Sequence, residues 1–113
     1  MEKIKHYKSI VKKLLSDLCE RLSKGIPDVR FEVVTDEEKG QYLLYKDGWR
    51  GMHRMYGSVA HLEVKQDGKV WLHHDGTDLA IGQILLDKGV SKKDLVLGFQ
   101  APARRADTEF ATA

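Results

Sequence analysis

The sequence holds a single cysteine, Cys19, which excludes an internal disulfide and a cysteine metal site. Prolines number two, Pro27 and Pro102, so most of the chain is free to run in regular elements. No apolar run approaches the roughly 20 residues that a membrane-spanning helix needs. The start, Met1-Glu2-Lys3-Ile4-Lys5-His6, lacks the apolar segment and small-residue cleavage site of a signal peptide. These absences lead to the expectation of a cytoplasmic protein without membrane contact. A surplus of one charge is missing too. With 19 basic and 17 acidic residues the net charge is +2, too little for nucleic-acid binding by bulk electrostatics. The local group Lys3, Lys5, Lys8, Lys12 and Lys13 reads as a solvated helix face.

What is present describes one domain, residues 1–113, large enough for a modest core. Ile4, Tyr7, Val11, Leu14, Leu18 and Leu22 recur at three- and four-residue steps and predict a helix over 3–24. Gly25 is expected at its left-handed end, followed by Ile26 and Pro27. Strands are expected at Val29–Val34, at Tyr42–Tyr45 ending on Asp47-Gly48, and from Arg54 to Lys65. Gly51 and Gly57 suggest bends or bulges. Around Gln66-Asp67-Gly68 the apolar pattern selects a register. A three-residue loop pairs Val64 with Val70 and Leu62 with Leu72, placing all four on one face. His61, Glu63, Trp71 and His73 then share the other face, with His61 directly opposite His73.

A second helix is expected from Asp75-Gly76-Thr77-Asp78 to Gly89, then a single turn at 91–94, a short strand at 95–99 and an irregular tail from Pro102. The predicted fold class is α+β. It has an N-terminal helix, a four-stranded antiparallel sheet, a second helix and a short fifth strand, with the helices on one sheet face.

Three groups invite a chemical role. His61, His73, His74 and Asp75 offer imidazole and carboxylate ligands, but no third ligand is fixed by spacing, so neither a metal nor a cofactor is expected. Asp75, Gly76 and Thr77 could present amides to an anion, although capping accounts for the same residues. The tail carries Arg105 and Phe110, which suit docking on the sheet or on a second subunit, with Arg105 in an ion pair.

A longer pattern connects these pieces. It runs through Gly48-Trp49, Arg54-Met55-Tyr56-Gly57, His61-Leu62-Glu63-Val64-Lys65, Gly68-Lys69-Val70-Trp71-Leu72 and Asp75-Gly76-Thr77-Asp78. It continues through Gly89-Val90-Ser91-Lys92-Lys93-Asp94-Leu95-Val96-Leu97-Gly98-Phe99 to Pro102, Arg105, Thr108, Glu109, Phe110 and Ala111. In this ordered set the chain resembles the XisI family, named for a controlling factor in excision of the fdxN DNA element. Ser91 stands where that family often has proline.

The resemblance implies an accessory role in programmed DNA excision in cyanobacteria, beside an XisH-like nuclease-fold partner and a site-specific recombinase. Contact with DNA would then be indirect, through the recombination complex. It brings no catalytic residues with it, and the expectation is a binding module, not an enzyme. Trp49, Arg54, Tyr56, His61, Trp71, His73, Arg105 and Phe110 are the expected contacts for that partner or for a second copy in a homodimer. The alternative is a small metal-dependent nuclease or hydrolase using His61, His73 and Asp75.

Overall fold

The computed structural model describes residues 2–113. Helix α1, Glu2–Ser23, follows the apolar stripe and buries Tyr7, Ile10, Val11, Leu14, Leu15 and Leu18. Its end corrects the expectation for Gly25. That glycine donates its N–H to the Leu22 carbonyl at 3.1 Å without entering the left-handed region. Ile26 and Pro27 suffice to turn the chain.

Four strands follow as a meander: β1, Val29–Asp36; β2, Gln41–Arg50; β3, His53–Val64; and β4, Val70–Asp75. After helix α2, Ile81–Asp87, and a 3-10 turn at Lys92–Asp94, strand β5, Leu95–Leu97, joins the sheet next to β4. The sheet therefore has five strands and is mixed, because β5 runs parallel to β4. The α2 crossover carries the chain back to the end where β4 began, which dictates the parallel direction. Leu44, Ala60, Leu62, Val64, Val70 and Leu72 form the inner face, and α1 and α2 cover it.

The β3–β4 hairpin has the expected register. Val64 pairs with Val70 and Leu62 with Leu72, and Gly68 takes a φ of 87°. Beyond Leu72 the ladder shifts, so that His61 pairs with His74 and His73 is the extra residue of a bulge. The direct His61–His73 opposition is thus corrected. A second shift lies between β2 and β3, where Leu44 pairs with Ala60 and Tyr45 with Ser58. The bulged residue is Val59, not Gly51 or Gly57. Gly51 instead sits in the tight turn between β2 and β3, at φ 64°.

Strand β2 does not end at Asp47-Gly48 but continues to Arg50. Gly48 lies directly against β1, opposite Val29, where a Cβ would collide with the Asp28 carbonyl oxygen and lie 2.6 Å from Val29 Cα.

Helix α2 starts later than the sequence predicts. Ala80 occupies its N-cap at φ 54°, with no side-chain cap. The amides are reached instead from the end of β4. Asp75 Oδ1 accepts from Thr77 N at 2.9 Å and Thr77 Oγ1 at 2.6 Å, and Oδ2 accepts from Ile81 N at 3.0 Å. The helix ends as expected. Gly89 is left-handed, its N–H meets Leu86 O, and Val90 N–H meets Leu85 O.

Among the described residues one charged side chain, Asp94, is buried. Asp94 accepts from Tyr7 Oη at 2.6 Å and from Lys3 Nζ at 3.3 Å, pinning the start of α1 to the turn before β5. Burial pushes its carboxyl up. Hydrogen bonds from Tyr7 and Lys3, with the charges of Lys3 and Lys93, outweigh that and hold it below the ordinary value of 3.8. The stabilisation is complete above the ordinary carboxylate range and is lost as pH falls through the depressed value. Urea unfolding followed from pH 6 down to pH 2 should show a fall in stability that is shallower in Asp94→Asn. Equal slopes in the two proteins would contradict the linkage.

Candidate functional site

The face of the sheet turned away from the helices carries two side-chain clusters. The first lies near the tip of the β2–β3 hairpin, where Trp49 pairs with Arg54 and Asp47 with Tyr56. The Arg54 guanidinium lies 5.4 Å from the Trp49 ring centroid and 5.0 Å from that of Tyr56, within cation–π range of both. It is held there by Asp47 at 2.8 Å and by the Gly48 carbonyl at 3.0 Å. Asp47 also takes Arg30 at 3.0 Å, so one carboxylate orders two arginines. All of this faces solvent. Trp49 is 52% exposed, Tyr56 66%, and Met52 in the adjoining turn 98%. The sequence does not single out Asp47 or Met52, because its pattern ends β2 at Asp47-Gly48. The cross-strand pairing that brings Asp47 to Arg54 needs the longer hairpin.

The second cluster is half-buried. His73 Nε2 and Glu63 Oε1 are 2.8 Å apart, and the His73 ring stacks on Trp71 at 5.7 Å. His61 donates from Nε2 to Gln41 Oε1 at 2.7 Å, and its ring remains 4.9 Å from that of His73 despite the bulge. Burial lowers the His61 pKa, and His73 beside it lowers it further. Trp71 is clamped, with Lys65 Nζ 4.2 Å and Arg105 Cζ 5.0 Å from its ring centroid. Its indole N–H is buried without an acceptor.

The tail is ordered onto this second cluster. Pro102–Arg105 form a helical turn, α3, where the sequence predicts no period. Arg105 donates to Gln100 O at 3.1 Å and Gly98 O at 3.2 Å. Among the described residues it forms no ion pair, which corrects that expectation. Stacking on Trp71 and two carbonyls take the place of a carboxylate. Phe110 packs against the core.

The eight expected contact residues therefore separate. Trp49, Arg54 and Tyr56 are at the exposed tip. His61, Trp71, His73 and Arg105 form the half-buried cluster, and Phe110 faces inward. At Asp75-Gly76-Thr77 the carboxylate already occupies the amides that an anion would need, as described for α2. His74 Nδ1 is paired with Ser58 Oγ at 2.8 Å. Among the described residues no three His, Cys, Asp or Glu side chains converge into a metal-holding group. No helix among them is long and apolar enough to cross a membrane.

The family model described as XisI protein matches residues 1–112. The chain belongs to the XisI family. Two solved structures from Anabaena variabilis ATCC 29413 share its fold across the whole domain. A XisI-like protein is 35% identical, with a TM-score of 0.89 over 97% of this chain and 99% of that one. The fdxN element excision controlling factor XisI is also 35% identical, with a TM-score of 0.81 over 98% of this chain and 99% of that one. No curated protein matches. These likenesses span nearly the whole of this chain and of each relative.

Proposed function

We propose that this chain is an accessory factor in excision of a DNA element and acts by binding a protein, an XisH-like nuclease-fold partner. The family assignment supports the setting, since one similar structure is that of an fdxN element excision controlling factor. The observation that carries the mode of action is the hairpin tip. Arg54 is held rigidly between two exposed aromatic rings, and arginine, tryptophan and tyrosine are the residue types that dominate binding energy at protein interfaces. A nearly balanced charge favours a protein partner over a phosphate backbone.

Because Asp47 and the Gly48 carbonyl already order Arg54, little side-chain entropy is lost on binding. Co-purification of the companion protein with the wild-type chain is expected. Trp49→Ala or Tyr56→Ala should weaken it by about 2 kcal/mol, roughly thirtyfold in Kd. Trp71→Ala should act mainly on stability, because Trp71 is clamped by its own chain. Unchanged binding in both tip variants would eliminate the hairpin as the contact surface.

A further inference from the structure

The two edges of the sheet are treated differently. At β5 the edge is three residues long and the tail lies along it, with Ala111 N–H donating to Leu95 O at 2.9 Å. At the other edge β1 is eight residues long, pairs only with β2, and contains no proline, glycine or bulge. Open strands of this kind template pairing with another chain.

The phase of β1 is fixed by the bond from Trp49 N–H to Asp28 O at 3.2 Å. Even-numbered residues bond to β2, so Phe31, Val33 and Thr35 direct their N–H and C=O groups outward. Among the described residues the Phe31 carbonyl accepts from the weak Cys19 thiol of α1 at 3.1 Å, a contact that strand pairing would displace.

We propose that β1 pairs antiparallel with β1 of a second copy about a two-fold axis at Phe31, joining two sheets into one of ten strands. Charge complementarity favours this pairing. Arg30 and Glu32 sit on the same outer face, both exposed, and within the chain they lie 3.5 Å apart. Arg30 meets Asp47 at 3.0 Å and Glu32 accepts from Tyr45 Oη at 2.9 Å, so pairing across the axis would extend an existing row of alternating charge. With the axis at Phe31, Arg30 lies opposite the partner's Glu32 and Glu32 opposite the partner's Arg30. On the inner face Val29 meets the partner's Val33, and the two Phe31 side chains meet each other. The neighbouring registers that keep both helical layers on one side are unfavourable. One sets Arg30 against the partner's Arg30, and the other sets Glu32 against the partner's Glu32, and like charges directly opposite destabilise a strand pair. The sequence of β1 therefore selects one isologous register. This dimer does not rest on the hairpin-tip reading. Arg30 also meets Asp47 of the tip, so Glu32→Arg, which leaves that pair in place, is the variant that separates the two surfaces.

Sedimentation velocity over a concentration series tests the dimer, with circular dichroism to check folding. Wild-type protein is expected to dimerise. Arg30→Glu and Glu32→Arg should each raise the dimer dissociation constant about tenfold or more. An equimolar mixture of the two variants should associate again as a heterodimer, because every cross-strand pair is then opposite in charge. The double variant R30E/E32R should recover the homodimer for the same reason. Val33→Pro removes an outward N–H without breaking a bond to β2 and should leave a folded monomer. A monomeric wild type, a Glu32→Arg variant that dimerises normally, or a mixture that fails to associate would each overturn the proposal. If the proline variant does not fold, the charge-swapped pair still separates a β1 dimer from any other arrangement.

Discussion

Replacing Gly48 with alanine is expected to cost the fold about 3 kcal/mol, at the upper end of what overpacking a core commonly costs. The reason is the identity of the obstacle. The added methyl would meet the Asp28 carbonyl oxygen and the Val29 Cα, which are backbone atoms of the neighbouring strand. A flexible side chain could swing away, but here β1 and β2 must move apart as units. The separation would strain the Trp49-to-Asp28 hydrogen bond next to it and loosen the root of the hairpin that carries Arg54. Gly51→Ala supplies the contrast. It has nothing within 4 Å and suffers only from its left-handed φ of 64°, about 1 kcal/mol. Urea denaturation of the two variants should rank them in that order. Equal losses would show that the strands yield more easily than their packing indicates.

Asp75→Ala should be comparably damaging, at about 3 kcal/mol. Three donors lose their acceptor at once: Thr77 N, Thr77 Oγ1 and Ile81 N. Each such bond to a charged group contributes about 1.5–3 kcal/mol, and the partial exposure of Asp75 lets water replace some of the loss. Asp75→Asn keeps one carbonyl oxygen, which can serve Thr77 or Ile81 but not both, so about half the loss is expected. Chemical denaturation gives the totals, and faster amide exchange at Ile81 would localise the defect to the start of α2. An alanine variant as stable as wild type, with Ile81 still protected, would mean that the left-handed turn at Ala80 holds the helix unaided.

These two positions mark where the sequence is legible and where it is not. Helix α1 and the Val64–Val70, Leu62–Leu72 pairing are readable because each has one apolar face, and a slip of one residue would turn that face to water. The bulge at His73 is not readable. Nothing in His73-His74 signals an extra residue, and the register past Leu72 is set by contacts that local patterning does not carry. The same long reach hides the true start of α2, because capping rules look one to three residues ahead and Asp75 acts six residues away. Gly48 resembles a turn glycine after Asp47. Its purpose, room for the neighbouring backbone, depends on which strand lies beside it. The candidate site behaves likewise. Its residue types are visible, but their division into an exposed tip and a clamped inner cluster follows from exposure and from the tail's position. Local patterning carries neither.

The bridge from Val96 to Ala111 has a further consequence. A sheet with two open edges is a repeating unit, since each copy that adds leaves a fresh edge for the next and growth has no natural end. In this protein the segment around Ala111 lies along one edge, and β1 borders the other. Two copies meeting through β1, as proposed, would use up both of their open edges in a single event. With β5 covered by the segment around Ala111, the proposed assembly would stop at a closed pair where a bare sheet would give a filament.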